Sequence, residues 1–117
     1  MIKMLHYMNL QERPYAMIAY GRKTVELRLL DEKRKNIAIG DTIIFKNAAD
    51  EQATLQCTVK KLYVFESFEQ LYQTLPLEQC GYLPEELPTA SAKDMELYYS
   101  VQEQAKYGVV GIEIALI

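Results

Sequence analysis

Alternation opens the chain. Ile2, Met4, His6 and Met8 fall on one face at a period of two, which predicts a strand over residues 2–8. Residues 11–20 change period: Tyr15, Ile18 and Ala19 form a helical stripe, Pro14 falls in the first turn where proline is tolerated, and Gly21 stands where a helix-ending glycine is expected. Over residues 24–30 the period returns to two. Val25, Leu27 and Leu29 face one way, and Thr24, Glu26 and Arg28 face the other. The charged run at 31–36 reads as a connection with a helical turn, and Gly40-Asp41 as a tight turn into a strand from Thr42 to Lys46.

A longer strand pattern runs from Thr54 to Phe65. Leu55, Cys57 and Val59 share one parity and Leu62 and Val64 the other, so a β-bulge is expected near Lys60-Lys61. Ser67-Phe68-Glu69-Gln70 is a capping-box pattern, followed by Phe68, Leu71, Tyr72 and Leu75 at helical spacing. Residues 76–90, with Pro76, Gly81, Pro84 and Pro88, read as an irregular loop. Ser91 and Asp94 start a further helix, expected to run on a stripe of Met95, Tyr98, Val101 and Ala105 to about Lys106, where Gly108 stops it. A last strand follows, with Val110, Ile112, Ile114 and Leu116 alternating against Val109, Gly111, Glu113 and Ala115. No βαβ repetition appears. The expectation is a single α+β domain over 1–117, a small barrel of about five to six strands with short peripheral helices.

Composition narrows the function classes. Of 117 residues 50% are hydrophobic and 25% charged, a globular balance. No apolar run reaches the roughly 18 residues of a membrane span, and the N-terminal residues lack the shape of a signal peptide. A cytoplasmic protein with no membrane partner is the expectation, and Cys57 and Cys80 are then free thiols. A net charge of −3 argues against bulk electrostatic coating of nucleic acid. Yet residues 22–35 carry six basic side chains against three acidic ones, a basic spot on an acidic body. That suits a small anionic ligand or a few phosphates in one groove.

The chemistry gathers in Gly21-Arg22-Lys23-Thr24-Val25-Glu26-Leu27-Arg28. Glu26 and Arg28 share a strand face with Thr24, and Lys23 sits at the turn opened by Gly21. Lysine and arginine suit phosphate, and a carboxylate accepts a base or sugar proton. The bland alternative is a solvated strand face with an ordinary ion-pair ladder. His6, the sole histidine, reads as a hydrogen-bonded structural residue, and no His/Cys cluster suggests a metal. No cofactor is expected. Among nine tyrosines, Tyr15, Tyr72 and Tyr98 lie on apolar stripes and read as core. Tyr20 beside the glycine is the chosen ligand contact; Tyr7, Tyr82 and Tyr99 are further rings able to stack a base. Lys33-Arg34-Lys35 reads as a solvated turn, or as a hold on a nucleic-acid backbone.

The pattern Gly21-x-Lys23-x-x-Glu26-x-Arg28 matches the ASCH motif GxKxxExR. Ile39-Gly40-Asp41-Thr42-Ile43-Ile44-Phe45 and Tyr107-Gly108-Val109-Val110-Gly111-Ile112-Glu113-Ile114 resemble two further blocks of that family, so the resemblance spans nearly the whole chain. It implies a PUA-like fold and binding of RNA or a modified nucleotide in a cleft lined by the motif residues Gly21, Lys23, Glu26 and Arg28, to which the strand face adds Thr24 and adjacency to the glycine adds Tyr20. It also implies an alternative. Some bacterial relatives are amidohydrolases acting on N4-acetylcytidine, and they resemble this chain at Gly21, Lys23 and Arg28. Their threonine nucleophile is replaced by Glu26 here, and Glu78 is the nearest match to their catalytic glutamate. A hydrolase of this kind, or a ribonuclease, would use Lys23 with Glu26 or Glu78. The family's founding member being a transcription coactivator, partners in the transcription or translation machinery are a further implication.

Overall fold

The computed structural model describes residues 3–117, so Ile2 of the first predicted strand lies outside it. Five strands form one sheet: β1 (Leu5–Leu10), β2 (Val25–Leu29), β3 (Thr42–Asn47), β4 (Asp50–Phe65) and β5 (Val109–Leu116). Helices α1 (Glu12–Ala19), α2 (Phe68–Thr74) and α3 (Val101–Tyr107) lie around it, with 3₁₀ turns at Arg34–Asn36, Pro84–Thr89 and Ala92–Leu97. The order across the sheet is β1-β3-β4-β5-β2, with β1 and β3 parallel and the other pairs antiparallel. The sheet is a curled half-barrel, the α+β architecture the sequence pattern predicts. Its two edge strands are bridged by side chains: the Arg28 guanidinium of β2 donates to the Asn9 carbonyl of β1 at 2.9 Å, and Lys33 donates to the Tyr7 carbonyl at 2.9 Å.

Two cores cover the two faces. Met8, Leu10, Ile18, Ile43, Phe45, Cys57, Val59, Ile112 and their neighbours fill the concave side. Val25, Leu27, Leu29, Phe68, Leu71, Leu75 and Met95 pack on the other, beneath α2. β5 lies between β4 and β2 and is covered on both faces. Val109 and Gly111 are therefore buried along with Val110 and Ile112, where simple alternation predicts a solvated second face. The predicted bulge is present, with the β4–β5 register shifting between Val59 and Lys61. It returns Leu62 to the concave core, opposite Ile112. Val64, of the same parity, is 59% exposed near the strand end. β4 also starts earlier than its apolar pattern, at Asp50, because a hairpin from Asn47 carries the polar residues into the ladder.

The chain between β4 and β5 departs most from expectation. Residues 76–90 are not wholly irregular, for Pro84–Thr89 forms a 3₁₀ turn capped by the Glu86 carboxylate on the Leu83 amide. The single helix predicted from Ser91 to Lys106 is two pieces. Ser91 and Asp94 make the expected capping box, but only over Ala92–Leu97. Ser100 then caps anew with Glu103 and starts α3. A second N-cap interrupts a helix because its side chain replaces the intrahelical acceptors. The predicted stripe breaks with it: Met95 is buried, but Tyr98 and Val101 are 63% and 59% exposed.

Local devices set the other elements. Gly21 takes φ 77° at the end of α1, and both Arg22 and Lys23 amides return to the Met17 carbonyl, closing the helix. His6 is a buried structural histidine, its Nε2 lying 2.8 Å from Asp41 Oδ2. Asp41 also accepts from the Met4 and Ala38 amides. Burial would raise its carboxyl, but these bonds together hold it below the ordinary aspartate value. Cys57 and Cys80 are free and buried.

Gly111 permits α2 to close on the sheet. A Cβ there would stand 2.8 Å from Leu75 Cδ1 and 3.3 Å from Val25 Cγ1. Gly111→Val is therefore expected to lower stability by about 1–3 kcal/mol through overpacking. Urea unfolding checks this, and a midpoint equal to the wild type's would refute the close packing.

Candidate functional site

The site begins at the end of α1. After Gly21 turns the chain, the Thr24 and Val25 amides both donate to the Gln79 carbonyl, at 2.8 and 3.0 Å. This double bond ties the start of β2 to the turn after α2. Lys23 is thereby aimed across the strand, and Gly81 leaves it room: a Cβ at Gly81 would meet Lys23 Cδ at 3.2 Å.

Glu26 and Arg28 lie on one face, as their parity predicts, but that face is not solvated. Glu26 pairs with Ile112 and Arg28 with Val110, so both point to the concave side of the sheet. Glu26 is 4% exposed. Lys23 Nζ lies 2.8 Å from its Oε1, and Arg28 reaches its Oε2 at 2.7 Å. Burial alone would raise the Glu26 carboxyl. The two cations outweigh that and hold it below the ordinary glutamate value. Glu26 in turn raises the Arg28 guanidinium against its own desolvation. The triad carries two positive charges and one negative. An exposed ladder of this kind contributes little; a buried one is costly to break because the remaining charges lose their partners.

A cleft of about 500 Å³ opens over this triad. The end of β1 and the first turn of α1 form one wall, and the stretch from Cys80 to Tyr99 forms the other. Tyr72, Tyr82, Tyr98 and Tyr99 line it. Tyr99 also stacks on Phe68, with ring centroids 6.2 Å apart. Tyr72 and Tyr82 meet edge to face, their hydroxyls 2.7 Å apart, and the Tyr82 hydroxyl donates to Asp94 Oδ2 at 2.6 Å. Burial pushes the Tyr72 hydroxyl up to about 12, and burial together with the Asp94 bond raises Tyr82 further. At the rim Arg13 of α1 reaches across to Glu86 at 2.6 Å. The Cys80 thiol, also in the wall, is pushed up to about 11 by burial, so it is neutral near pH 7 and a poor nucleophile.

Three of the predicted ligand residues, Lys23, Glu26 and Arg28, are thus brought together in the cleft. The other three are not among its lining side chains. Gly21 and Thr24 act through the backbone, in the turn and in the bond to Gln79. Tyr20 is 83% exposed beyond the end of α1. Glu78 is exposed on the turn before Cys80, outside the lining. Tyr72, read from the sequence as core, packs against the core beneath α2 and also lines the cleft, whereas Tyr98, read the same way, is 63% exposed and lines the cleft instead. Arg13, Glu86 and Asp94 are additions that periodicity did not single out for the cleft. Asp94 shows in the sequence only as a capping residue, a role it also fills by accepting from the Ser91 amide at 3.2 Å. Among the described residues no His/Cys/Asp/Glu group is arranged to hold a metal ion, and no helix is long and apolar enough to cross a membrane.

The ASCH domain family model matches residues 8–117, and the chain belongs to that family. Two solved structures agree. The crystal structure of the hypothetical protein PH0355 is 35% identical, with a TM-score of 0.80, covering 97% of this chain and 99% of that one. The solution structure of protein PF0455 from Pyrococcus furiosus is 32% identical, with a TM-score of 0.70 and 97% of each chain covered. A comparison with curated proteins returned no match.

Replacing Glu26 by glutamine should leave Lys23 and Arg28 close together without a counter-charge. The expected loss is about 3 kcal/mol or more, read from urea unfolding at pH 7. The lowered folded-state value sets the pH dependence. Glu26 contributes its full stabilisation above the ordinary glutamate pKa of about 4.3, and the contribution is lost as pH falls through the lower folded value. The acid limb of the stability curve should therefore be shallower in Glu26→Gln than in the wild type. Equal slopes would mean that Glu26 is not the ionised centre of the site.

Proposed function

We propose that this ASCH domain binds RNA, or a free modified nucleotide, by taking one base into the cleft above Lys23, Glu26 and Arg28. The observation that carries this reading is a cavity of about 500 Å³ whose lining includes a cationic triad and four tyrosines. Small-molecule sites commonly measure some 300–1,000 Å³, and aromatic walls with a few fixed polar groups suit a base.

The balance of charge favours a base over a polyphosphate. Arg13, Lys23 and Arg28 line the cleft against Glu26, Glu86 and Asp94, so the lining as a whole is neutral. Phosphate contacts, if RNA is the ligand, then fall to the rim and beyond. Lys33 and Lys46 are exposed along β1, where Lys46 lies 5.5 Å from the Tyr7 ring centroid.

Binding is also favoured over hydrolysis. A carboxylate acting as general base is most effective with its pKa raised toward the working pH. Lys23 and Arg28 hold Glu26 below the ordinary glutamate value, and Glu78 stands outside the lining.

Single-stranded RNA and single nucleosides titrated against wild type and Lys23→Ala test the reading, with thermal unfolding followed in parallel. Loss of a charged hydrogen bond predicts binding weaker by about tenfold or more. A wild-type protein that binds neither kind of ligand, or a folded Lys23→Ala protein that binds as well as wild type, would refute it.

A further inference from the structure

The cleft holds three carboxylates, and they are not equivalent. Glu26 is held by two cations and Glu86 by Arg13. Asp94 has no cationic partner among the described residues. Its Oδ2 takes two donors, the Tyr82 hydroxyl and the Ser91 amide. No donor among the described residues reaches its Oδ1. The Lys23–Glu26–Arg28 triad and the unpaired Asp94 therefore line one cavity without an ion pair between them.

Hydrogen-bond direction sharpens this. The Tyr82 hydroxyl gives its one proton to Asp94 Oδ2. The Tyr82 oxygen is then the acceptor for Tyr72, and the chain runs Tyr72 to Tyr82 to Asp94. The chain fixes Asp94, a half-buried residue of the cleft lining, at Oδ2 and leaves Oδ1 as an open acceptor.

Resting on the base-binding reading above, we propose that Asp94 is the specificity-determining residue of the cleft. Its Oδ1 accepts an N–H from the edge of an oxo-bearing base, such as guanine, uracil or cytosine, whose carbonyl oxygen turns to Lys23 and Arg28. The ligand class follows from the two kinds of group in one lining: Lys23 and Arg28 offer donors and Asp94 an acceptor, and an oxo base carries both complements on one planar ring. A phosphate placed against Asp94 would instead meet an unneutralised carboxylate.

Asp94→Asn is an informative variant. The Tyr82 hydroxyl and the Ser91 amide both require an oxygen at the Oδ2 position. The amide oxygen should take that place, which puts its NH₂ where Oδ1 stands. The substitution keeps size and cap but inverts the exposed group from acceptor to donor.

The experiment measures binding of guanosine, uridine and cytidine, each beside a form methylated at its N–H edge: 1-methylguanosine, 3-methyluridine and N4,N4-dimethylcytidine. Wild type, Asp94→Asn and Lys23→Ala are compared, with thermal unfolding recorded for each. Wild type is expected to prefer at least one unmodified nucleoside over its methylated form by about tenfold or more, since a site built to receive a hydrogen bond rejects an analogue lacking it. Asp94→Asn, with an unfolding temperature near that of wild type, should lose both the affinity and the preference. Two results would overturn the proposal while leaving base binding intact: a wild type that binds both forms equally, or a folded Asp94→Asn protein with wild-type affinity, when Lys23→Ala is impaired. Absence of nucleoside and RNA binding by wild type would overturn both. The wild-type preference alone decides the matter should Asp94→Asn not fold.

Discussion

One carboxylate organises this protein. Glu26 stands almost without solvent contact on β2, and each of its oxygens is taken by a cation from a different place. Lys23 comes from the turn before the strand, and Arg28 from two residues along it. The same Arg28 continues to the Asn9 carbonyl on β1. The two free edges of the curled sheet, which share no backbone ladder, are thus joined through a buried charge. Desolvating three charged groups is expensive, and their mutual attraction offsets the cost only with close geometry at every contact. That constraint makes the arrangement specific, since a Lys23 displaced from Glu26 would leave buried charge on both sides.

The rest of the fold serves to hold this geometry. Val25, Leu27 and Leu29 anchor the reverse of the strand under α2, and Gly111 lets α2 come down onto the sheet. The Gln79 carbonyl receives two amides from the start of β2, so the turn after α2 moves with the triad rather than apart from it. Gly81, two residues on, vacates the space that the Lys23 stem fills. From there the chain makes the far wall of the cleft out of short capped turns, each closed by its own carboxylate: Glu86, Asp94 and Glu103. Two of those capping carboxylates, Glu86 and Asp94, also face the cleft, so the same groups define the wall and its chemistry.

Much of this was legible in the sequence because much of it is local. Strand parity placed Glu26 and Arg28 on one face; the change of parity after Val59 announced the bulge; Gly21 and the Ser67 cap marked helix ends. What parity cannot tell is whether a polar face is wet. Glu26 is dry because Lys23 and Arg28 close on its two oxygens and the loop after α2 is tied to the start of its strand, a contact made from far along the chain. The tyrosines divide for the same reason. Tyr15 and Tyr72 pack against the cores as their spacing predicts, but the Tyr72 hydroxyl also turns to Tyr82 in the cleft, and Tyr98 is left exposed there. The break between Ala92–Leu97 and α3 was written in Ser100 and Glu103, a second capping box inside an apparently continuous stripe. Asp94 was legible as a cap and illegible as an open acceptor, since only the fold shows that no cation comes to meet it.

That difference between paired and unpaired carboxylates bears on what an ASCH cleft of this composition discriminates. A site with positive charge alone would draw any phosphate and bind with steep dependence on salt. Here the excess positive charge is small, sits beside a carboxylate, and is matched by a further carboxylate in the same cavity. Long-range attraction for an anion is therefore weak, while a ligand that carries both donors and acceptors finds complements to both. Neutral hydrogen bonds within a pocket walled by Tyr72, Tyr82, Tyr98 and Tyr99 then decide affinity, and these discriminate by arrangement rather than by net charge. The clamp on Glu26 makes this division possible. Glu26 is committed to its two cations, while Asp94 in the same lining meets none and keeps Oδ1 open as an acceptor.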